Sequence, residues 1–214
     1  MATTDETTPS ITDHEGEQIE RANATGLQPV VFIHGLWLLP SSWDRWATVF
    51  EEAGYTALTP GWPDDPETVE EANAHPEVFA GKSVGQVADH YSAVIGTLTR
   101  KPAVIGHSFG GLMTQIVAGR DLSAASVAID PAPFRGVLPL PISALKSGSP
   151  VLGNPANRNR AVPLTYDQNP GVTEIVEIKG RGHALTIDSG WREVAETALA
   201  FVERVAKEAS TPAG

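Results

Sequence analysis

Cysteine is absent from the 214 residues. That removes disulfides, thiol nucleophiles and cysteine metal sites, and leaves the redox compartment unread. Bases are scarce: 15 Lys and Arg stand against 26 Asp and Glu, for a formal charge of −11. Phosphate-rich partners need a surface of the opposite sign, which argues against nucleic acid and anionic membranes as partners. Long apolar runs are missing, since no stretch approaches the roughly 18–20 residues of a membrane span. The opening MATTDETTPSITDHEGEQIE has neither the basic nor the apolar segment of a secretory signal. A cytoplasmic setting is expected. The six histidines are scattered without metal-ligand spacing, and no GxGxxG follows an apolar run. No metal or other cofactor is expected.

What remains is an ordinary globular composition, 41 % apolar and 19 % charged. The chain is long enough to bury a core without staples. Residues 1–10 are polar and Thr-rich, and His14-Glu15-Gly16 reads as a turn between two short segments, an edge hairpin. PVVFIHG (29–35) and PAVIGHS (102–108) are short apolar runs of the kind that form buried parallel strands, and YTALTPGW (55–62) and SVAID (126–130) read as the second and fourth strands. VTEIVEI (172–178) reads as a later strand.

Helices alternate with these strands. SWDRWATVFEEAG places Trp43, Trp46, Val49 and Phe50 on one face, with Ser41 or Ser42 as cap and Gly54 as stop. VGQVADHYSAVIGTL (84–98), FGGLMTQIVAG (109–119) and WREVAETALAFVERVAKEA (191–209) follow the same helical spacing. The acid- and Pro-rich residues 63–82 read as an exposed excursion with one helical turn. Strand–helix alternation predicts an α/β fold with a doubly wound, mostly parallel sheet.

Residues 131–166 hold 7 of the 17 prolines, no acid, and the bases Arg135, Lys146, Arg158 and Arg160. Such Pro density gives irregular backbone, and a long insertion after a strand's carboxyl end commonly covers an active site. The chain therefore divides into 1–25 (tail and edge hairpin), 26–130 (first α/β part), 131–168 (cap-like insertion), 169–209 (last strand, histidine loop and closing helix) and 210–214 (tail).

Gly106-His107-Ser108-Phe109-Gly110-Gly111 fits G-x-S-x-G, with an apolar strand entering and a helix leaving. The turn is sharp, small residues let the backbone pass itself, and the serine projects at a helix N-terminus as a candidate nucleophile. In this motif the sequence resembles the α/β-hydrolase family, and the resemblance runs from about Ile11 to the last helix. Two more pieces match: His34-Gly35-Leu36-Trp37 after the first buried strand, and Gly180-Arg181-Gly182-His183 before the closing helix. The resemblance implies oxyanion donors in the backbone N–H groups of Leu36 and Phe109, and a general base in His183. His34 and His107 flank these turns and read as structural. Trp37 and Phe134 are candidates to line an apolar substrate pocket.

The family's acid usually follows a strand–helix unit that this sequence lacks before its histidine loop. The fold expected is thus a shortened α/β-hydrolase type. Asp130 ends the fourth strand on the edge that carries Ser108, and Asp167 lies 16 residues before His183. Asp130 is the preferred acid and Asp167 the alternative. A serine at the nucleophile position disfavours dehalogenase and epoxide hydrolase chemistry, which use aspartate there. The resemblance then implies a serine hydrolase of small-molecule carboxylic esters. A degenerate ligand-binding protein and a cofactor-free perhydrolase or haloperoxidase stand as alternatives. A missing unit leaves a sheet edge uncovered, which invites a homodimer.

Overall fold

The computed structural model describes residues 10–133 and 174–210. The chain divides into two compact units, one of Met1–Pro131 with Glu174–Gly214 and one of Ala132–Thr173. Every element named below belongs to the first. In chain order these are α1 (Asp13–Thr25), β1 (Gln28–Ile33), α2 (Asp44–Glu52), β2 (Tyr55–Leu58), α3 (Val69–Ala74), α4 (Val84–Gly96), β3 (Ala103–His107), α5 (Phe109–Gly119), β4 (Ala125–Ile129) and α6 (Trp191–Ser210).

The four strands form one parallel sheet in the order β2-β1-β3-β4. Both faces of β1 are buried, as its apolar run predicts. Val30 and Phe32 join a core with Trp43, Trp46 and Phe50 beside α2, and Val194, Ala195, Ala198 and Val202 from α6. Aromatic rings fill this layer: Phe32 stacks on Trp43 at 5.1 Å and meets Phe50 edge-on at 5.4 Å. Val31 and Ile33 are equally buried but outside that cluster, because alternate residues point to opposite faces. β1 is thus an inner strand of the sheet and delivers His34 and Gly35 to its carboxyl edge.

Three local expectations fail. Residues 13–25 form a helix instead of a hairpin. Thr12 accepts from the Glu15 N–H while the Glu15 carboxylate accepts from the Thr12 N–H, a reciprocal cap, and Gly26 closes the helix at φ 66°. Gly16 is simply tolerated inside it. Neither Ser41 nor Ser42 caps α2. Pro40 starts a 3-10 turn over Pro40–Trp43 that runs straight into the helix, so Trp43 holds the cap position with no side-chain bond. Finally, 174–178 form no strand. Ile175 is 96 % exposed and Val176 is also exposed, while Ile178 alone of the three packs on the core. Alternation makes a strand only where one face is buried and a neighbour supplies the ladder.

The reciprocal cap of α1 has a second use. The Glu15 carboxylate is buried 2.8 Å from His90 Nε2, which joins α1 to α4. Burial alone pushes the Glu15 pKa up, but bonding to His90 and Thr12 outweighs it, and the carboxyl sits below its usual value. A lowered acid stabilises the fold above its ordinary pKa, and the contribution disappears as pH falls through the folded value. Glu15→Gln should therefore cost about 1–3 kcal/mol at pH 7. Urea denaturation should show parent and variant converging at acid pH, and a gap constant across pH would contradict the assignment.

Candidate active site

β3 ends at His107 and α5 begins at Phe109, so the whole change of direction falls on Ser108. Its φ of 57° and ψ of −119° lie outside the usual regions for an L-residue, a strain worth about 1–3 kcal/mol. The neighbouring glycines make the turn feasible. A Cβ on Gly106 would overlap the Gly110 carbonyl, and one on Gly110 would overlap the carbonyl of Ile33. Close packing of the turn on the end of β1 thus requires both. Gly35 has a similar role, since a Cβ there would lie 3.0 Å from Ser108 Cβ.

Ser108 is tied to the next strand as well. Its N–H donates to the Ile129 carbonyl at 3.0 Å, one residue before Asp130. Asp130 adopts φ 40°, a conformation that Asp accepts more readily than most residues. His183 comes between the two side chains. Its Nδ1 lies 2.5 Å from Asp130 Oδ2 and its Nε2 lies 3.0 Å from Ser108 Oγ. A carboxylate only accepts, so Nδ1 carries the proton and Nε2 faces the serine hydroxyl as acceptor. Asp130, the acid preferred from sequence, is brought to His183. Asp167 lies outside the described residues.

The histidine loop is held from three sides. The His107 Nε2–H donates to the His183 carbonyl at 2.6 Å, and the two rings approach at 4.8 Å. The Trp46 indole donates to the Thr186 carbonyl at 2.9 Å, anchoring the loop to α2. Arg181 bonds Glu193 at 2.8 Å and lies 3.5 Å from Asp188. Burial holds the His107 pKa below its usual value, which keeps the ring a neutral donor near pH 7. Sequence reading assigned His107 a structural place but gave no sign of these partners.

Asp65 was hidden within the acidic excursion. Its side chain is 3 % exposed, 3.0 Å from His34 Nε2 and 3.3 Å from Lys82 Nζ. The remainder of that excursion is largely exposed and includes α3 and a 3-10 turn at Pro76–Phe79. His14 and His75 are exposed and His90 is paired with Glu15, all outside the site.

A pocket of about 80 Å³ lies beside the serine turn. Leu36 and Phe109 line it together with Met113, Val87, Trp62 and Lys82. Among the described residues, no turn or cap hydrogen bond takes up the N–H of Leu36 or of Phe109. Trp37, expected in a substrate pocket, is 80 % exposed and does not line this one. Its positive φ of 62° belongs to a tight turn that leaves the ring in solvent. Phe134, its expected companion, lies outside the described residues. Among the described residues, no group of three or more His, Asp or Glu is placed to hold a metal ion, and no helix is long and apolar enough to cross a membrane.

Residues 30–204 match the model of the alpha/beta hydrolase family. The chain belongs to that family. Two solved structures with TM-scores above 0.5 share the fold. A metagenome-derived lipolytic enzyme, described with LipS and LipT, is 19 % identical over 82 % of this chain and 93 % of its own, with a TM-score of 0.52. A variant of PytH is 15 % identical over 84 % of this chain and 99 % of its own, with a TM-score of 0.55. An extracellular alpha/beta-hydrolase from a Paenibacillus species is 24 % identical over 64 % of this chain, with a TM-score of 0.45. The chain spans 55 % of that protein's length and 46 % of that of a dienelactone hydrolase from Anabaena variabilis. No curated protein matches the sequence. In this alpha/beta hydrolase, no described residue between β4 and α6 lies in a strand or helix.

Proposed function

We propose that this alpha/beta hydrolase cleaves small carboxylic esters through an acyl-enzyme. The observation that carries the reading is the continuous Ser108–His183–Asp130 contact, at 3.0 and 2.5 Å. In the first step Ser108 Oγ attacks the ester carbonyl while His183 Nε2 takes its proton. The imidazolium so formed is stabilised by Asp130, and the tetrahedral oxyanion accepts from the Leu36 and Phe109 N–H groups. The carbonyl reforms, the C–O bond to the alcohol breaks, and His183 returns the proton to the leaving alkoxide. Water then repeats the sequence on the acyl-serine and releases the acid.

The pocket beside the two oxyanion donors argues for short acyl groups. A protein cavity of about 150 Å³ takes one benzene ring. One of about 80 Å³ suits a chain of roughly three carbons on the same scale. Of its lining residues Val87 and Met113 are buried, whereas Leu36 and Val84 are exposed. A p-nitrophenyl ester series from acetate to octanoate tests both statements. We expect kcat/KM to peak between acetate and butyrate and to fall about tenfold or more by octanoate, at about 1.4 kcal/mol for each tenfold loss. Turnover that survives Ser108→Ala would reject the mechanism, and a rate that rises to octanoate would reject the acyl pocket.

A further inference from the structure

We propose that Asp65 is a positioning residue that aims the Leu36 N–H at the reacting carbonyl. The inference rests on the serine esterase reading for its functional meaning, though its geometry stands alone. A carboxylate that is 3 % exposed needs compensation, because an unpaired buried charge is strongly destabilising. Asp65 finds it in hydrogen bonds from the Trp62 N–H at 2.9 Å and the Lys82 ammonium at 3.3 Å, and its carboxylate also packs against the His34 ring, 3.0 Å from Nε2 but without a hydrogen bond to it. Two of these partners converge on one point. Trp62 stacks on the His34 ring at 5.8 Å with the planes 19° apart, and its indole N–H donates to the His34 carbonyl at 3.3 Å. The His34 main chain and side chain are thus both held from the Asp65 segment.

From His34 the constraint passes through a single peptide unit. The Nδ1–H donates to the Gly35 carbonyl at 3.0 Å. That carbonyl and the Leu36 N–H belong to the same planar trans amide, so they point in opposite directions. Pinning the oxygen aims the N–H. The path runs Asp65, His34 ring, Gly35 carbonyl, Leu36 N–H, and each link is a buried contact or a covalent plane. Asp65 touches no reacting atom. Its effect is on direction, which matters because an oxyanion donor works only where the charge develops.

The test compares Asp65→Asn and Trp62→Phe with the parent chain. Asparagine keeps an acceptor for the Trp62 N–H but loses the charge facing His34. Phenylalanine keeps the stacking but removes the donor to the His34 carbonyl. Rates are divided by the fraction of sites that a fluorophosphonate titrates, so loss of folded protein does not count. We expect kcat per site to fall about 10- to 100-fold in Asp65→Asn, because misplacement by about 1 Å can cost about that much, with KM within about twofold. Trp62→Phe should change in the same direction by less. The Leu36 amide resonance in a ¹H–¹⁵N correlation spectrum should shift in both. Full kcat per site with an unmoved Leu36 resonance would overturn the proposal, and should Asp65→Asn fail to fold, Trp62→Phe decides by the same readouts. A parent without Ser108-dependent turnover would overturn the esterase reading instead, and the Leu36 resonance would then decide the positioning by itself.

Discussion

Ser108→Ala is expected to remove all covalent labelling by a fluorophosphonate, and His183→Ala to reduce labelling to background, while the parent should gain the mass of one adduct. In steady state each substitution should lower kcat by about 10⁶-fold, because the two groups act as one unit and neither is useful alone. The structural ground is the 3.0 Å approach of Nε2 to Oγ. A serine hydroxyl without a base is a poor nucleophile. Neither substitution should harm the fold: removing Oγ leaves the Ser108 N–H bond to Ile129 in place, and His183 is 54 % exposed. Intact-protein mass separates the outcomes directly. An adduct that persists in Ser108→Ala would place the reactive group elsewhere.

Asp130→Asn has the next largest effect, and its size carries information. Asparagine suits the φ of 40° at this position. It presents an amide to Nδ1, and the amide NH₂ favours the tautomer with the proton on Nε2. That tautomer cannot accept from Ser108. In a triad with a buried acid this change costs about 10⁴-fold in kcat. Here Asp130 is 55 % exposed, so water can reach Nδ1 and restore part of the preference. We therefore expect a loss of about 10²- to 10³-fold, smaller than the buried case. Asp167→Asn should leave kcat at the parent level. If the two variants exchanged these results, the acid would be Asp167 and the Asp130 contact incidental.

The parts of this molecule that were legible in the sequence are those where one residue type is sterically forced. Gly106 and Gly110 have no room for a Cβ, so the serine turn is written as G-x-S-x-G between a strand and a helix. β1 and β3 were equally plain, because parallel strands covered on both faces are largely apolar, whereas in β4 Ile129 alone is buried. The misreadings have local causes. Thr12 and Glu15 spell a reciprocal cap, yet His14-Glu15-Gly16 looks like a turn. Residues 174–178 alternate like a strand, and nothing local says that no neighbour pairs with them. Asp65 was the least legible of all. In PGWPDDPE an aspartate looks solvated, and only folding brings His34 and Lys82 around it. Buried polar contacts between distant segments leave no periodic trace.

The Ser108 N–H bond to the Ile129 carbonyl has a consequence for chain length. Ser108 and Asp130 follow the ends of adjacent strands in one ladder, so their separation is set by sheet register and not by any intervening loop. Insertions or deletions between Ala132 and Thr173 leave that separation untouched. Only the third group must be delivered from afar, and its loop has its own moorings on Trp46 and His107. A change of chain length across that interval leaves the placement of Ser108 beside Asp130 as the sheet sets it.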